Sequence, residues 1–413
     1  MLLFRISDSW VEVDTSCLNV VDEVKPAKKV IPLEEPARAA IRALNFPVGA
    51  APLKEVLKGK SRVLVILNDI TRPTPYRYML PAIVDLLDGK GVKFVVATGT
   101  HRPNTDVEML DMYGEELFAR GFTVENHDCD GSHFIHCCTT SVGNDVYING
   151  VIEQADVVVT TGVIGFHYFA GYSGGRKSLF PGIAERNSIG RNHALMVKKG
   201  SVAANIEGNP VNDEMMEVAS VFGERLFIFN AVTSPAGEVL GFFAGNYENA
   251  WLKGVELYDS YFKVRIHELA DVVIADAGGY PKDINAYQVQ KALDNALRAV
   301  RDGGTIILIA GCVEGFGNAV FEEWLKDARS PEDVVHRLSQ GFVLGGHKAY
   351  AVASAVKKAD VILVSHMRPE DVSTMFFRYA PSVDVAMEMA EEKHGKGFSV
   401  TLFPNASSLL PVL

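Results

Sequence analysis

The sequence predicts an α/β protein of two domains, each built on a mainly parallel sheet flanked by helices in the Rossmann-like manner. Three observations carry this expectation. Short β-branched runs such as "SRVLVILND", "VKFVVATGT" and "ADVVVTTGV" alternate with stretches of helical periodicity. Those runs are apolar throughout instead of alternating, the pattern of strands buried on both faces of a helix-covered parallel sheet. The 413 residues also exceed what one hydrophobic core usually supports.

Taken in order, "SRVLVILND" is a strand and "PYRYMLPAIVDLLDGKG" an amphipathic helix ending in glycine. "VKFVVATGT" is the next strand, "TDVEMLDMYGEELFARG" is helical, and "ADVVVTTGV" is a third strand. The segment "EQADVVVTTG" is echoed by "ELADVVIADAGG" and "KKADVILVS", with "DGGTIILIAGC" and helical stretches between the last two. A second βαβ sheet follows from this, although buried strands of the "ADVVV" type explain the echo as well as duplication does. The expected boundary lies near residues 260–268, giving a cofactor-binding and catalytic domain over 1–266 and a substrate-capping domain over 267–399. The tail 400–413 is expected to pack back on the first domain, and the active site to lie in the cleft between the two.

Composition removes several function classes. Hydrophobic content of 48% with 22% charged residues is ordinary for a globular protein. A net charge of −11 argues against nucleic acid and anionic membranes as partners. A small anionic substrate is compatible with it, provided a few cationic side chains are concentrated at the site. Apolar runs such as "VVVTTGVIGF" are too short to span a bilayer, and "MLLFRISDSW" lacks the features of a signal peptide. Cys17, Cys129, Cys137, Cys138 and Cys312 are odd in number and follow no framework spacing. They read as reduced thiols, and the protein as cytoplasmic.

In open parallel sheets ligands bind beyond the carboxyl ends of the strands. Three consecutive strand ends are equipped for this: Asp69, Thr71 and Arg72 in "NDITRP", His101 and Arg102 in "GTHRP", and His167 followed by Lys177 in "HYFAGYSGGRKS". The last stretch resembles a phosphate-binding loop, but Arg176 stands where a Walker loop needs its final glycine. Two readings of it stay open. Either the glycines make a turn with a surface-exposed Arg-Lys pair, or they let the backbone approach a cofactor that Lys177 reaches with its amine. A lysine becomes nucleophilic when desolvation or a nearby cation lowers its pKa, and Arg176 is a candidate for that cation.

Further along, "ERNSIGRNHALM" is helical and carries His193, an ordinary helix histidine or a metal ligand. The cluster "NHDCDGSHFIHCC" has zinc-type residues in a spacing that fits no standard module, and it reads equally as a strand. In "YPKDINAYQVQKAL" a helix would put Gln288 and Lys291 on one face, able to address the same small anion.

The motifs "NDITRP", "GTHRP", "HYFAGYSGGRK", "GRNHA" and "YQVQK" together resemble the nickel-pincer lactate racemase family of 2-hydroxyacid racemases and epimerases, in that family's order and with closely similar spacing. The resemblance implies a nickel-pincer nucleotide, Ni(II)-pyridinium-3,5-bisthiocarboxylic acid mononucleotide, made by other proteins and attached covalently at Lys177. It implies His193 as the nickel ligand, and His101 and His167 as the pair that exchanges the substrate hydroxyl proton. Asp69, Ile70, Thr71 and Arg72 match the cofactor-contacting segment, and Arg72, Gln288 and Lys291 match substrate-binding positions. The implied reaction takes the Cα hydrogen as hydride to the pyridinium ring and returns it to the other face of a 2-ketoacid. Against this stand two alternatives: a zinc-dependent hydrolase using residues 127–138, and a non-catalytic carrier of a nucleotide cofactor.

Overall fold

The computed structural model describes residues 1–413. Three strands open the chain: β1 (Leu2–Ile6) and β2 (Ser9–Val13), which form an antiparallel hairpin, and β3 (Asn19–Glu23). Then come β4 (Arg62–Asn68), β5 (Gly91–Ala97), β6 (Val124–Asn126), β7 (Phe134–Thr139), β8 (Asp145–Asn149) and β9 (Val157–Ile164). The short β10 (Phe166–His167) and β11 (Gly171–Tyr172) precede β12 (Leu226–Thr233) and β13 (Val239–Asn246). The remaining strands are β14 (Lys263–Arg265), β15 (Ala270–Asp276), β16 (Val300–Ile309), β17 (Asp360–Val364), β18 (Arg378–Ala380), β19 (Ser399–Phe403) and β20 (Leu410–Val412).

The chain forms two compact units, one of Val30–Asp259 and one of Met1–Lys29 with Ser260–Leu413. Each holds a six-stranded sheet, with order β13-β12-β9-β4-β5-β6 in the first and β18-β17-β16-β15-β19-β3 in the second. All the pairings are parallel except β12 with β13. The α/β class read from the apolar runs is therefore the observed one. β4 is buried from Val63 to Leu67, and β9 is buried at every position but Val163. In the first unit one face of the sheet packs Val63, Val65, Leu67, Phe94, Val96, Val157, Val159, Phe227 and Phe229 against flanking helices. Burying each such side chain stabilises the fold by roughly 1.5–3 kcal/mol.

The division of the chain differs from the expected one at both ends. Residues 1–29 belong with the carboxyl-terminal unit because β3 pairs in parallel with β19, and Val24 N–H extends the ladder to Leu402 O at 2.8 Å. The hairpin adds Phe4, Ile6 and Val13 to that unit's core. The tail stays in the same unit, since β19 is an interior strand between β15 and β3, and β20 pairs with β14. Parallel pairing between segments almost four hundred residues apart leaves no local trace, and "NVVDE" is too short and too exposed to announce a sheet strand. No helix is long and apolar enough to cross a membrane.

Candidate functional site

At the carboxyl end of β4 the chain enters the segment Asp69–Arg72. Asp69 is 2% exposed, and its Oδ1 accepts the Thr71 hydroxyl at 2.7 Å. Beyond β5, a turn closed by His101 N–H on Thr98 O brings the His101 ring to Asp69. Nδ1 of His101 lies 2.5 Å from Asp69 Oδ2. Burial works to raise the Asp69 carboxyl, but the hydrogen bond and charge of His101, then Thr71 and Arg72, outweigh it and hold the group below its ordinary value. An ionised Asp69 requires Nδ1 of His101 to carry the proton, which leaves Nε2 as the ring's proton acceptor. Ile70 N–H is held by Asn104 Oδ1 at 3.1 Å. Arg102, the other ionisable group of this strand end, is turned away to structure. It forms a two-pronged pair with Glu108, which also closes a capping box with Thr105.

The loop after β9 folds on itself as the β10–β11 hairpin, in which His167 pairs with Gly171. The half-buried His167 ring accepts the Ala170 N–H at Nδ1, 3.2 Å away. Burial first, then the charges of Lys177, Arg72, His193 and Arg176, hold its pKa well below the ordinary value. An Nδ1 that accepts leaves the proton of the neutral ring on Nε2, the opposite arrangement to His101.

The two glycines before Arg176 serve the loop's own packing. Gly174 and Gly175 sit at φ +76° and +55°, and a Cβ on them would meet Asn230 Oδ1 at 2.6 Å and the Trp251 ring at 3.0 Å. They let the loop close on β12 and on the helix Asn249–Phe262. Nor is Arg176 at the surface. Its guanidinium is fully buried, donates to Gly174 O, Ala170 O, Tyr172 O and, at 2.6 Å, Asn212 Oδ1, and lies 3.9 Å from the Trp251 ring. Burial lowers its pKa to about 9. Lys177 follows directly. Burial first, then the cations of Arg176 and Arg72, push its ammonium well below its usual value.

Phe169, 3% exposed, joins these groups. Its ring centroid lies 4.5 Å from that of His167, 5.1 Å from that of His193 and 5.8 Å from Lys177 Nζ. His193 stands on the helix Arg186–Ala194, whose neighbouring Asn192 donates to buried Glu214 at 2.7 Å. The helix Asn249–Phe262 backs the whole loop. Trp251 Nε1 donates to Ser173 O, the Tyr172 hydroxyl reaches both oxygens of Asp259 at 2.7 and 2.8 Å, and Tyr258 packs edge-on to Phe166. Sequence reasoning missed Phe169, Asn212, Trp251 and Asp259. Single apolar or amide residues among ordinary neighbours carry no spacing signal.

In the other unit, Asn285 caps the helix Ala286–Ala296, and Lys291 Nζ donates to Gln288 Oε1 at 3.0 Å. The two share a face, as their spacing predicts. The zinc-like cluster does not assemble. His127 uses both ring nitrogens inside the protein, donating to Ala184 O and accepting from Asn149. Asp128, Cys129 and Asp130 bring donor atoms within 4.8 Å of one another without any histidine, and Asp130 is held by Arg186. "HFIHCC" is strand β7, the bland reading.

The donor chemistry around Phe169 fits a metal-bearing cofactor with an electrophilic handle: a primary amine whose protonation is disfavoured by burial, and an imidazole suited to nickel, copper or zinc. Residues 9–204 match the lactate racemase N-terminal domain and residues 266–410 the lactate racemase C-terminal domain. The lactate racemase of Thermoanaerobacterium thermosaccharolyticum is 33% identical over 380 residues, 89% of either chain. That of Lactiplantibacillus plantarum is 30% identical over 380 residues, again 89% of each. The structure of the lactate racemase apoprotein from Thermoanaerobacterium thermosaccharolyticum superposes with a TM-score of 0.91 at 29% identity, covering 100% of this chain and 99% of that one. A crystal structure of a Thermotoga maritima protein, with a TM-score of 0.63 and 17% identity over 93% of this chain and 100% of that one, shares the fold.

Proposed function

The chain belongs to the lactate racemase family of isomerases, and on that premise we propose that it interconverts the C2 stereoisomers of a short 2-hydroxyacid, lactate by default, with a nickel-pincer nucleotide. One observation carries this reading: the buried Lys177 amine is gathered with His167 and His193 around Phe169, and the neighbouring strand end presents the Asp69–His101 pair. Lys177 is the covalent anchor of the cofactor and His193 the protein ligand to nickel. Ile70, Thr71 and Arg72 border the cofactor with Asp69, which also fixes the ring of His101.

The α-hydrogen of a 2-hydroxyacid is a poor acid because the adjacent carboxylate is already negative. Bound at Lys177, the pincer nucleotide would supply an acceptor for that hydrogen as hydride. The protein's own part is proton transfer and orientation. Nε2 of His101 takes the hydroxyl proton, and the imidazolium so formed is balanced by Asp69, 2.5 Å away. His167 serves the opposite face. Surrounding cations disfavour its imidazolium, so a protonated His167 is a strong acid toward the ketone oxygen. Two stereochemical outcomes need two such groups. Arg72 in one unit, and Gln288 and Lys291 in the other, are the proposed carboxylate-binding positions, and exclusion of water keeps the ketoacid from escaping.

This reading places the protein in the cytoplasm and makes it depend on cofactor-biosynthesis proteins for the pincer nucleotide. The test is a panel of enantiopure 2-hydroxyacids incubated with cofactor-loaded protein and followed by chiral chromatography. Loss of optical purity at C2 for at least one short hydroxyacid is expected, and full retention across the panel would end the proposal.

A further inference from the structure

Lys348 is a charged residue that the mechanism above does not use, yet it is 5% exposed. It stands in the first turn of the helix Gly346–Lys358. Its Nζ donates to Tyr287 O at 2.6 Å and lies 4.1 Å from the centroid of the Tyr287 ring. Stripping water from an ammonium is expensive, and an apolar side chain of similar length would fill the same space without that expense. A backbone carbonyl and an aromatic face are the groups that partly replace the lost water. Both come from Tyr287, the residue directly before Gln288.

The surroundings keep this charge in place. His347, 5% exposed, accepts the Gly345 N–H at Nδ1, and its pKa is pushed down to about 3 by burial and then by Lys348. It therefore stays neutral beside the ammonium. Tyr287 is fixed in turn, its N–H on Phe316 O at 3.1 Å and its ring edge-on to Phe321. Lys348 thus pins the first turn of the helix Ala286–Ala296 from behind. Lys291 and Gln288 project from that turn and the next, joined at 3.0 Å. The buried Asp294 carboxyl on the same helix also feels the charge of Lys348, so Lys348 acts on this turn through its hold on Tyr287.

We infer that Lys348 is a positioning residue for the substrate carboxylate: through Tyr287 it sets the turn from which Gln288 and Lys291 project. The inference rests on the racemase reading for the identity of the anion. It concerns binding of a carboxylate common to substrate and ketoacid, so Lys348 contributes to KM and not to the chemical step.

The test compares wild type, Lys348→Met and Lys348→Arg as cofactor-loaded proteins. Lys348→Met should raise KM by about tenfold, the equivalent of about 1.4 kcal/mol of carboxylate binding, with kcat nearly unchanged. The covalent mass increment at Lys177 should persist, and Lys348→Arg should recover most of the lost affinity. An unchanged KM in Lys348→Met, or a fall confined to kcat, overturns the inference. If Lys348→Met does not fold, Tyr287→Leu decides. It keeps the lysine but removes the ring beneath it, and KM must rise. If wild type racemises nothing, the racemase reading fails by itself. Calorimetric titration of pyruvate into wild type and Lys348→Met then judges Lys348, with equal affinities overturning it.

Discussion

Asp69 Oδ2 stands 2.5 Å from His101 Nδ1, so a carboxylate fixes which nitrogen of this histidine can accept a proton. In His167 the same ring position accepts the Ala170 N–H at 3.2 Å. The two histidines therefore present nitrogens of opposite character, one backed by an anion and the other ringed by cations.

Replacing Asp69 by Asn should lower turnover by roughly 10²–10⁴-fold, the usual size of a general acid–base contribution. An amide can donate to Nδ1 and so invert the tautomer, and it cannot balance an imidazolium. Enantiomers are equal in free energy, so kcat/KM must fall equally in both directions, while kcat and KM can divide differently. Steady-state kinetics from each enantiomer, with the Lys177 mass increment as loading control, checks this.

The same residue links the fold to pH. A carboxyl held below its ordinary value binds protons less readily folded than unfolded. It stabilises the fold above its unfolded pKa of about 3.9, and that contribution is lost as pH falls through the folded value. Asp69→Asn should therefore flatten the acid side of a melting-temperature profile measured from pH 7 to pH 3. An unchanged acid slope would mean that Asp69 is not ionised in the folded protein.

Lys177 carries the reverse sign. Its folded pKa is depressed, so between the folded and unfolded values the unfolded chain holds a proton that the folded chain lacks. Stability of the cofactor-free protein then rises with pH until the unfolded lysine titrates near 10.4. Lys177→Met should melt higher than wild type at pH 7, with the gap closing toward pH 10. It should also lose the covalent increment in intact-mass analysis, and retention of the increment would remove Lys177 from the anchoring role.

Asn212 accepts the buried Arg176 guanidinium at 2.6 Å. Asn212→Ala leaves a buried cation short of one charge-assisted hydrogen bond, a loss of about 1.5–3 kcal/mol. Urea unfolding should read this as a lower midpoint with an unchanged slope. Because Arg176 holds Ala170, in the hairpin turn after His167, and Tyr172, in the strand that returns from it, activity should fall along with stability.

Much of the site was legible because strand ends are legible. "VLVILND", "FVVATGT" and "VVVTTGVIGF" declare their strands by unbroken apolar runs, and the polar residues that follow must lie at the carboxyl edge of a parallel sheet. His101, His167 and the segment Asp69–Arg72 followed from that alone. For Lys177 the surface-exposed and the desolvated readings both stayed open. Whether an Arg-Lys pair after a glycine turn faces water or the interior depends on Trp251, Asn212 and Asn230, all distant in sequence.

The sequence by itself determined the α/β class, the strand ends that bear the chemistry, and the ordered motifs shared with the family. These rest on local periodicity and short spacing, which a chain expresses before it folds. Only the tertiary structure decided that residues 1–29 join the carboxyl-terminal unit, that Arg176 is buried, that Phe169 gathers His167, His193 and Lys177, and that Asp69 pairs with His101. Burial and hydrogen-bond direction are set by neighbours dozens to hundreds of residues away. They also decide which amine resists protonation and which imidazole nitrogen is bare.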